Sequence, residues 1–362
     1  MQAKYQLRRL RRVATACAGF AIGIAGPASS AASNGALSRA VPVVAYEHAQ
    51  TLVALASGRR LNLFCLGTGT PTVVLEAGGG DDSLSFRHIQ GRLAATTRVC
   101  SYDRAGMGFS DPSDGPSTAS HVVEDLHALL RQAQISLPAV LVGHSDGGLY
   151  VTLYAAKYPK EVAGLVLIDP DSPGLDMAAT KMLDQPWLDQ WRAINRNSLK
   201  EAQKCLDLAH SGSLARTPSR YPNCLDDPTN PDHTLHRLLN AQLARATEQE
   251  AIFSEDWDTS SVPNGGLSNA ELACQRVHFD LGDKPLIVLS GTHEQDGLPL
   301  IERRKVVKAM LDNQGALASH STRGKQILIN SSTEYLQDTY PAVVTRAVDE
   351  VVQEARKGLL AQ

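Results

Sequence analysis

The sequence LVGHSDGGLY, residues 141–150, decides how the rest of the chain is arranged. An apolar run at 139–142 precedes the five residues GHSDG (143–147), and a segment with helical periodicity, 149–158, follows directly. The pattern predicts a buried strand, a sharp turn and a helix, with Ser145 at the apex of the turn.

The spacing of the glycines around this serine has a steric reason. In a nucleophile elbow the serine adopts a strained backbone conformation, and strand and helix approach so closely that the flanking positions can carry no side chain. Gly143 and Gly147 meet that requirement. The turn also puts the N–H of Asp146 at a helix N-terminus, where it can bind an oxyanion. The motif favours Ser145 as a nucleophile over the alternative, a Gly/Ser-rich turn without catalytic meaning.

The N-terminus differs from the rest of the chain, which has an ordinary globular composition. The 362 residues are 43% hydrophobic and 20% charged. Four arginines between residues 8 and 12 precede an apolar run at 13–26 and then small residues up to 32. This order predicts a secretory signal peptide over residues 1–31, with an apolar part too short for a permanent membrane anchor. We therefore expect a periplasmic or secreted protein.

Loss of residues 1–31 changes the charge and the redox setting of the chain. It removes five positive charges from a net charge of −3, which leaves about −8. An acidic protein does not attract nucleic acid through its net field, so we expect no nucleic-acid partner. Export permits disulfides. Cys205 and Cys224 bracket a Pro/Ser-rich loop, which favours a disulfide between them.

Strand-like and helix-like segments alternate on both sides of the central motif. The other predicted strands are 51–55, 60–65, 72–76, 97–102, 164–169, 284–290 and 326–330, and the other predicted helices are 83–95, 119–134, 302–317 and 341–356. This alternation predicts an α/β fold with a mainly parallel sheet that helices cover on both faces.

The domain boundaries follow from where this alternation stops. Strand signals are absent between 172 and 279, where helical stretches alternate with Pro/Asn/Asp turns. We interpret this part as a helical cap over the carboxyl edge of the sheet, where α/β folds bind ligands. The core is then 51–171 with 280–362, and 32–50 is a flexible lead-in.

Two polar turns follow strands before the central motif. The glycines at 78–80 lack the spacing of a nucleotide-binding loop, and we expect neither a cofactor nor a metal. A backbone that must approach a ligand closely explains them equally well. Asp103 and Arg104 follow the strand 97–102, and we interpret them as an ion pair that locks a tight turn rather than as catalytic residues.

Four segments together resemble the α/β-hydrolase superfamily, and within it an exported bacterial esterase-like branch. They are LFCLGTGTPTVVLEAGGG, CSYDRAGMGFSD, LVGHSDGGLYVTLYAAKYP and GLVLIDP. The resemblance implies an α/β-hydrolase fold, Ser145 as nucleophile, and an oxyanion hole formed by the N–H groups of Gly79 and Asp146. It also implies that the strands of Cys65 and Cys100 are neighbours, so we expect a second disulfide there.

The resemblance does not decide which residue is the catalytic acid. In this superfamily it usually follows the penultimate strand, where Asp296 and Glu294 both lie. We prefer Asp296. Asp171, after the strand 164–169, occupies the alternative place that such folds use. A solvated polar loop explains the residues around Asp296 equally well.

The superfamily's base is a histidine in a stretch similar to SGHxxQxxxP after the last strand. Here that stretch is STEYLQDTYP (332–341), and Glu334 takes the place of the histidine. A carboxylate has only acceptors, so Asp296 cannot orient it as an acid orients an imidazole. Its unperturbed pKa is about 4.3, against about 6.5 for histidine, which makes it a weaker base at neutral pH. A displaced histidine is the alternative; the candidates are His320, His233, His236 and His278.

These residues predict a serine hydrolase that acts on small-molecule esters or related acyl compounds. The catalytic residues would be Ser145, Asp296 and Glu334. The alternative is a catalytically impaired relative that binds a small apolar ligand under the cap. Peroxidase or lyase chemistry on the same fold usually needs the missing histidine too, and fold alone does not separate these classes.

We expect the exported protein to have lost residues 1 to about 31, because the basic, apolar and small-residue regions stand in the order that signal peptidases recognise. Intact-mass measurement of protein from the periplasm or culture fluid checks this. Recovery of an uncleaved cytoplasmic chain that starts at Met1 would contradict it.

Overall fold

A computed structural model describes residues 40–262, 266–294 and 297–360. Its strands are β1 Leu52–Ala54, β2 Arg60–Leu66, β3 Val73–Glu76, β4 Val99–Tyr102, β5 Ala139–His144, β6 Val162–Ile168, β7 Leu286–Gly291 and β8 Gly324–Ile329. They form one sheet in the order β1-β2-β4-β3-β5-β6-β7-β8. β2 runs antiparallel to β1 and β4, and the other neighbours pair in parallel. The predicted α/β fold with a mainly parallel sheet is confirmed.

Helices surround this sheet. The described α-helices are α1 Arg87–Leu93, α2 Ala119–Gln132, α3 Asp146–Lys157, α4 Leu175–Met182, α5 Trp187–His210, α6 Ser213–Arg216, α7 His233–Leu243, α8 Ala246–Thr259, α9 Asn269–Gln275, α10 Leu300–Ala318, α11 Leu336–Thr339 and α12 Pro341–Leu360. None of the helices in the described part of the chain is long and apolar enough to cross a membrane. The predicted signal peptide, 1–31, lies outside the described residues.

The central strands are apolar throughout because both of their faces are buried. Successive side chains of a strand point to opposite faces. In β5, Leu141 packs with side chains of α2 and α3, whereas Val140 and Val142 pack with side chains of α1 and α12. The serine turn at the end of β5 is therefore held by a sheet that is packed on both sides.

The chain between β6 and β7 supplies helices α4 to α9, and its described residues contain no strand. The disulfide Cys205–Cys224 closes a loop within this segment, and Cys65–Cys100 joins directly paired positions of β2 and β4. Both predicted pairs are present. Among the described cysteines Cys274 is free, and it is buried.

Part of the predicted lead-in packs against both the core and the cap. Val43 and Tyr46 are buried in a cluster with Phe64 of β2 and Leu235 of α7. Residues 41–46 are therefore held in place rather than flexible, because their apolar side chains find a surface that core and cap form together.

Arg104, in the turn after β4, connects three parts of the fold. Its guanidinium forms buried ion pairs with Glu76 at the end of β3 (Nη1–Oε1 2.9 Å) and with Glu255 of α8 (Nε–Oε1 2.6 Å). It also donates to the carbonyl oxygens of Ala77 and Gly78, at 2.8 and 2.7 Å. One side chain thus ties the sheet, the glycine-rich loop after β3 and a cap helix together.

Asp103 belongs to a different network. Its carboxylate accepts hydrogen bonds from Ser83, from the Asn62 side chain and from the N–H of Phe109. The predicted ion pair between Asp103 and Arg104 is therefore wrong. The two neighbouring side chains leave the backbone in different directions, and each finds its partners on a different element.

We expect Arg104→Met to destabilise the protein by about 3–5 kcal/mol, because it leaves two buried carboxylates, Glu76 and Glu255, without their cation. Urea unfolding of the purified protein measures the loss. Arg60→Met is the matched control, since Arg60 pairs with Asp111 at the surface with half of its side chain exposed. Equal losses in the two variants would show that the buried ion pairs do not stabilise the fold.

We expect the double variant Cys205→Ala, Cys224→Ala to lose about 3 kcal/mol of unfolding free energy, because a disulfide over 19 residues restricts the unfolded chain. Denaturant unfolding without reductant measures this, with Cys274→Ala as the control that removes a free thiol. An unchanged midpoint in the double variant, or free thiols at 205 and 224 in peptide mapping, would refute the disulfide.

Candidate active site

Ser145 lies at the tip of a sharp turn between β5 and α3. Its backbone has φ 50° and ψ −122°, a conformation that L-residues rarely adopt. A Cβ at Gly143 would lie 2.3 Å from the carbonyl oxygen of Gly147, and a Cβ at Gly147 would lie 2.4 Å from that of Glu76. Both glycines are therefore sterically required, as in a nucleophile elbow.

The glycine-rich loop after β3 lies beside this turn. A Cβ at Gly78 would lie 3.3 Å from the Cβ of Ser145. Gly80 donates its N–H to Glu255 (3.0 Å), whereas the N–H of Gly79 has no hydrogen-bond partner among the described residues. Asp146 is the first residue of α3. Gly79 and Asp146 thus lie on the two backbone segments that meet at Ser145, although their role as oxyanion donors stays a prediction.

His293, just after the end of β7, is a site residue that the sequence analysis did not select. It is 5% exposed, and its Nδ1 lies 3.2 Å from Oδ2 of Asp169, which follows β6. The angle of this ion-pair contact falls outside hydrogen-bond geometry, and neither atom has a hydrogen bond to another described residue. The two atoms are thus in ion-pair contact with each other. Nε2 of His293 makes no hydrogen bond within the described chain.

Asp169 is held in place by its second oxygen. Its Oδ1 accepts hydrogen bonds from the N–H of Gly291 (3.2 Å) and from the side chain of Gln314 (3.1 Å). Its backbone has φ 43°, which is unusual for a residue other than glycine. Strained backbone of this kind clusters at functional sites. The carboxylate is therefore fixed with Oδ2 directed to His293.

The negative groups near His293 raise its pKa by more than burial lowers it. Burial alone lowers the pKa of the imidazole, but the contact with Asp169 and the charges of Asp169 and Glu334 raise it above its usual 6.5. A histidine with a raised pKa stabilises the folded state below the pKa of the unfolded chain, and this stabilisation is lost as the pH rises through the folded-state pKa. The site therefore favours an imidazolium, the species that forms when a histidine takes a proton.

Glu334 lies in the same cavity as Ser145 and His293. The residue is 8% exposed, and its carboxylate has no hydrogen bond or ion pair with a described residue. Its carbonyl oxygen lies 3.3 Å from Nε2 of His144, and the His144 ring packs against Tyr335. His144 thus contacts the loop after β8 and supports the position of Glu334.

The other candidates are distributed as follows. Asp296, the preferred acid, lies outside the described residues. Glu294 has an ion pair with Arg303 (3.5 Å) and does not line the cavity, whereas Asp171 lines it. The histidines proposed as displaced bases, His320, His233, His236 and His278, do not line it. His320 precedes β8 and packs on Phe279, at the opposite edge of the sheet from Ser145.

A signal for the pair of Asp169 and His293 was present in the sequence. Asp169 is the last residue of one predicted strand and His293 lies three residues after another, and parallel neighbours end at the same edge of a sheet. The family pattern directed attention to an acid after β7 and a base after β8 instead. The chain has an acid after β6, a histidine after β7 and an acid after β8.

The cavity lies between the carboxyl edge of the sheet and the cap, and encloses about 900 Å³ including its open part. Core residues on its wall include Ser145, Asp169, His293 and Glu334, and cap residues include Trp191. No group of three or more His, Cys, Asp or Glu side chains in the described chain is arranged to hold a metal ion.

The chain matches the model of the alpha/beta hydrolase fold family over residues 71–295. It is 35% identical over 104 residues to protein YqjL of Bacillus subtilis, and 30% identical over 131 residues to a cis-3-alkyl-4-alkyloxetan-2-one decarboxylase of Shewanella oneidensis. These matches cover 29% and 34% of this chain and 41% of each relative. The chain thus spans less than half the length of these curated relatives.

Solved structures with low identity show the same fold over most of the chain. An esterase from Thermogutta terrifontis has a TM-score of 0.52 at 18% identity, covering 84% of this chain and 98% of its own. A Pseudomonas aeruginosa protein named provisionally as an epoxide hydrolase has 0.58 at 17%, covering 83% and 94%. The match over residues 71–295, which is more than half of the sequence, shows that the chain belongs to the alpha/beta hydrolase fold family.

Proposed function

We propose that this protein is an exported serine hydrolase for esters or related acyl bonds, in which Ser145 is the nucleophile and His293 the general base. The observation that carries the proposal is the buried contact between His293 and Asp169 in the cavity that contains Ser145. An imidazole held by a carboxylate on one nitrogen can take a serine proton on the other. Glu334 and Asp296 were the predicted base and acid, and His293 and Asp169 meet those requirements better.

The reaction would proceed in two steps. Ser145 Oγ attacks the acyl carbon while its proton passes to Nε2 of His293, and the N–H groups of Gly79 and Asp146 hold the oxyanion. The carbon–oxygen bond to the alcohol then breaks, and the imidazolium returns the proton to the leaving oxygen. Water attacks the acyl-serine by the same route in reverse, which releases the acid and restores Ser145.

In this proposal Asp169 and Glu334 both act through His293. Asp169 contacts Nδ1 and orients the ring, and Glu334 places a second negative charge near it. Both charges favour the imidazolium that each step forms. Glu334 is then a positioning and electrostatic residue, and its lack of a hydrogen-bond donor no longer limits the reaction.

Export and the esterase-like branch are also part of the proposal. The two disulfides are compatible with an oxidising compartment. A small-molecule acyl substrate is supported by the size of the cavity under the cap. The rival function, binding of an apolar ligand without catalysis, was motivated by the missing histidine after β8, and His293 supplies an imidazole from the neighbouring strand.

We expect His293→Ala to lower kcat for p-nitrophenyl acetate by about 10²- to 10⁴-fold, the range that general-base assistance supplies. Ser145→Ala should abolish both turnover and labelling by a fluorophosphonate probe. Glu334→Ala should cost much less than His293→Ala, because it removes a charge and not the proton acceptor. His320→Ala is the matched control, a histidine on the far edge of the sheet, and should leave the rate unchanged.

The pH profile separates these roles further. Because the base must be neutral, kcat/KM should rise with pH through a pKa above 6.5 in the wild type. Asp169→Asn should shift this midpoint to lower pH, since burial then dominates the pKa of His293. A fast wild-type enzyme that keeps its rate in His293→Ala would overturn the assignment, and a protein that the fluorophosphonate does not label would favour the non-catalytic alternative.

A further inference from the structure

The wall of the cavity at Ser145 is acidic. Six residues with carboxyl side chains line it, and His293 is the basic residue among its described lining residues. The six are Asp146, Asp169, Asp171, Asp176, Glu271 and Glu334. Several of them have local structural partners: Asp169 contacts His293, Glu271 caps α9 through the N–H of Ser268, and Asp171 accepts from the N–H of Ser172. Of these partners only His293 can carry a positive charge.

Glu334 is a buried residue of the core wall whose carboxylate acts on His293 through its charge but has no hydrogen bond or close ion pair with a described residue. More than nine-tenths of the residue is buried, it lines the cavity, and no described residue donates a hydrogen bond to its carboxylate or forms an ion pair with it. A carboxylate that lines a cavity and has no hydrogen-bond donor in the protein can accept hydrogen bonds from a bound ligand. This observation concerns the core wall and is independent of the cap residues.

Asp176 in α4 supplies a matching carboxylate on the cap wall. Its Oδ1 accepts hydrogen bonds from Nε1 of Trp191 (2.7 Å) and from the side chain of Asn195 (3.2 Å), and its Oδ2 accepts one from Ser261. All three donors are neutral, and no described cation pairs with Asp176. Burial raises the pKa of Glu271, hydrogen bonds from Ser268 and Gly174 lower it, and the charge of Asp176 raises it. Asp176 therefore acts as a negative charge on the cap wall, and no described cation forms an ion pair with it.

Resting on the serine hydrolase function proposed above, we propose that the substrate carries a positively charged amine group, held on the cap side by Asp176 and Trp191 and attracted by Glu334. A cation between these walls is attracted by the carboxylates, because a partly enclosed space contains little water to screen their charge. Trp191 adds an aromatic surface that attracts cations. Substrates with a free carboxylate or phosphate are repelled by the same field.

The test uses two esters of the same shape that differ in charge. Choline butyrate carries a quaternary nitrogen, and 3,3-dimethylbutyl butyrate has carbon in its place. We expect kcat/KM, followed by acid release in a pH-stat, to favour the choline ester by about tenfold or more, as desolvated cation contacts allow. Equal rates, or faster cleavage of the neutral ester, would overturn the proposal.

Asp176→Asn tests the residue assigned to the cation. It should lower the ratio of kcat/KM for the choline ester to kcat/KM for the neutral ester toward one. Fluorophosphonate labelling of Ser145 and an unchanged thermal unfolding curve show that the variant is folded. Asp189→Asn is the matched control, because it removes the same charge from the exposed side of α5. A preference that survives Asp176→Asn unchanged would contradict the assignment.

Failure of the proposed function can be told apart from failure of this inference. If wild type cleaves neither ester and no fluorophosphonate labels Ser145, the hydrolase function is wrong. Calorimetric titration of the Ser145→Ala variant with the two esters then decides the inference by itself. Tighter binding of choline butyrate supports a cation-selective cavity, and equal or absent binding of the two refutes it.

Discussion

The buried ion pairs of Arg104 hold a cap helix against the end of a central strand, and they depend on one side chain. Glu76 ends β3 and Glu255 lies in a cap helix, and both carboxylates would be unfavourable where they are without a cation. Burial raises the pKa of Glu76 to about 7, although the charge of Arg104 opposes the rise. The same guanidinium holds the carbonyls of Ala77 and Gly78. The loop beside the serine is therefore positioned by core and cap together.

The site itself is distributed over the ends of four neighbouring parallel strands. Ser145 follows β5, Asp169 follows β6, His293 follows β7 and Glu334 lies beyond β8. These strands end at one edge of the sheet, so residues after different strands can face the same space. A histidine after β7 can thus meet the same cavity as one after β8. For this reason the fold can accommodate a histidine after β7 and a carboxylate after β8, in place of the acid after β7 and histidine after β8 of the family pattern.

Core and cap contribute differently to the cavity. The core supplies the residues that can move a proton, on backbone that packing on both faces of the sheet holds in place. The cap supplies Asp176 and Trp191, which are joined by a hydrogen bond and lie on helices. Changes in the cap can therefore alter the charge and shape that a substrate meets without moving Ser145.

The sequence by itself determined the fold, the serine turn and the disulfide Cys205–Cys224, whereas Cys65–Cys100 was expected from the resemblance to the superfamily. Apolar runs and glycine spacing are local patterns. They predict a buried strand or a tight turn because the steric and packing requirements involve residues that are close in the sequence. Ser145 between Gly143 and Gly147 could be identified because the steric demand of the turn is local. The helix after it begins at Asp146, three residues before the apolar periodicity. Its first turn contains Gly147 and Gly148, where a side chain would collide with neighbouring segments of the chain.

Only the tertiary structure decided which polar residues face the serine. Asp169 and His293 are 124 positions apart, and their contact depends on the pairing of β6 with β7. Arg104 finds Glu255 across the boundary between core and cap, where the sequence suggested its neighbour Asp103. Long-range pairing of this kind leaves no periodic signal, because each partner is chosen by the direction in which its side chain leaves a distant element.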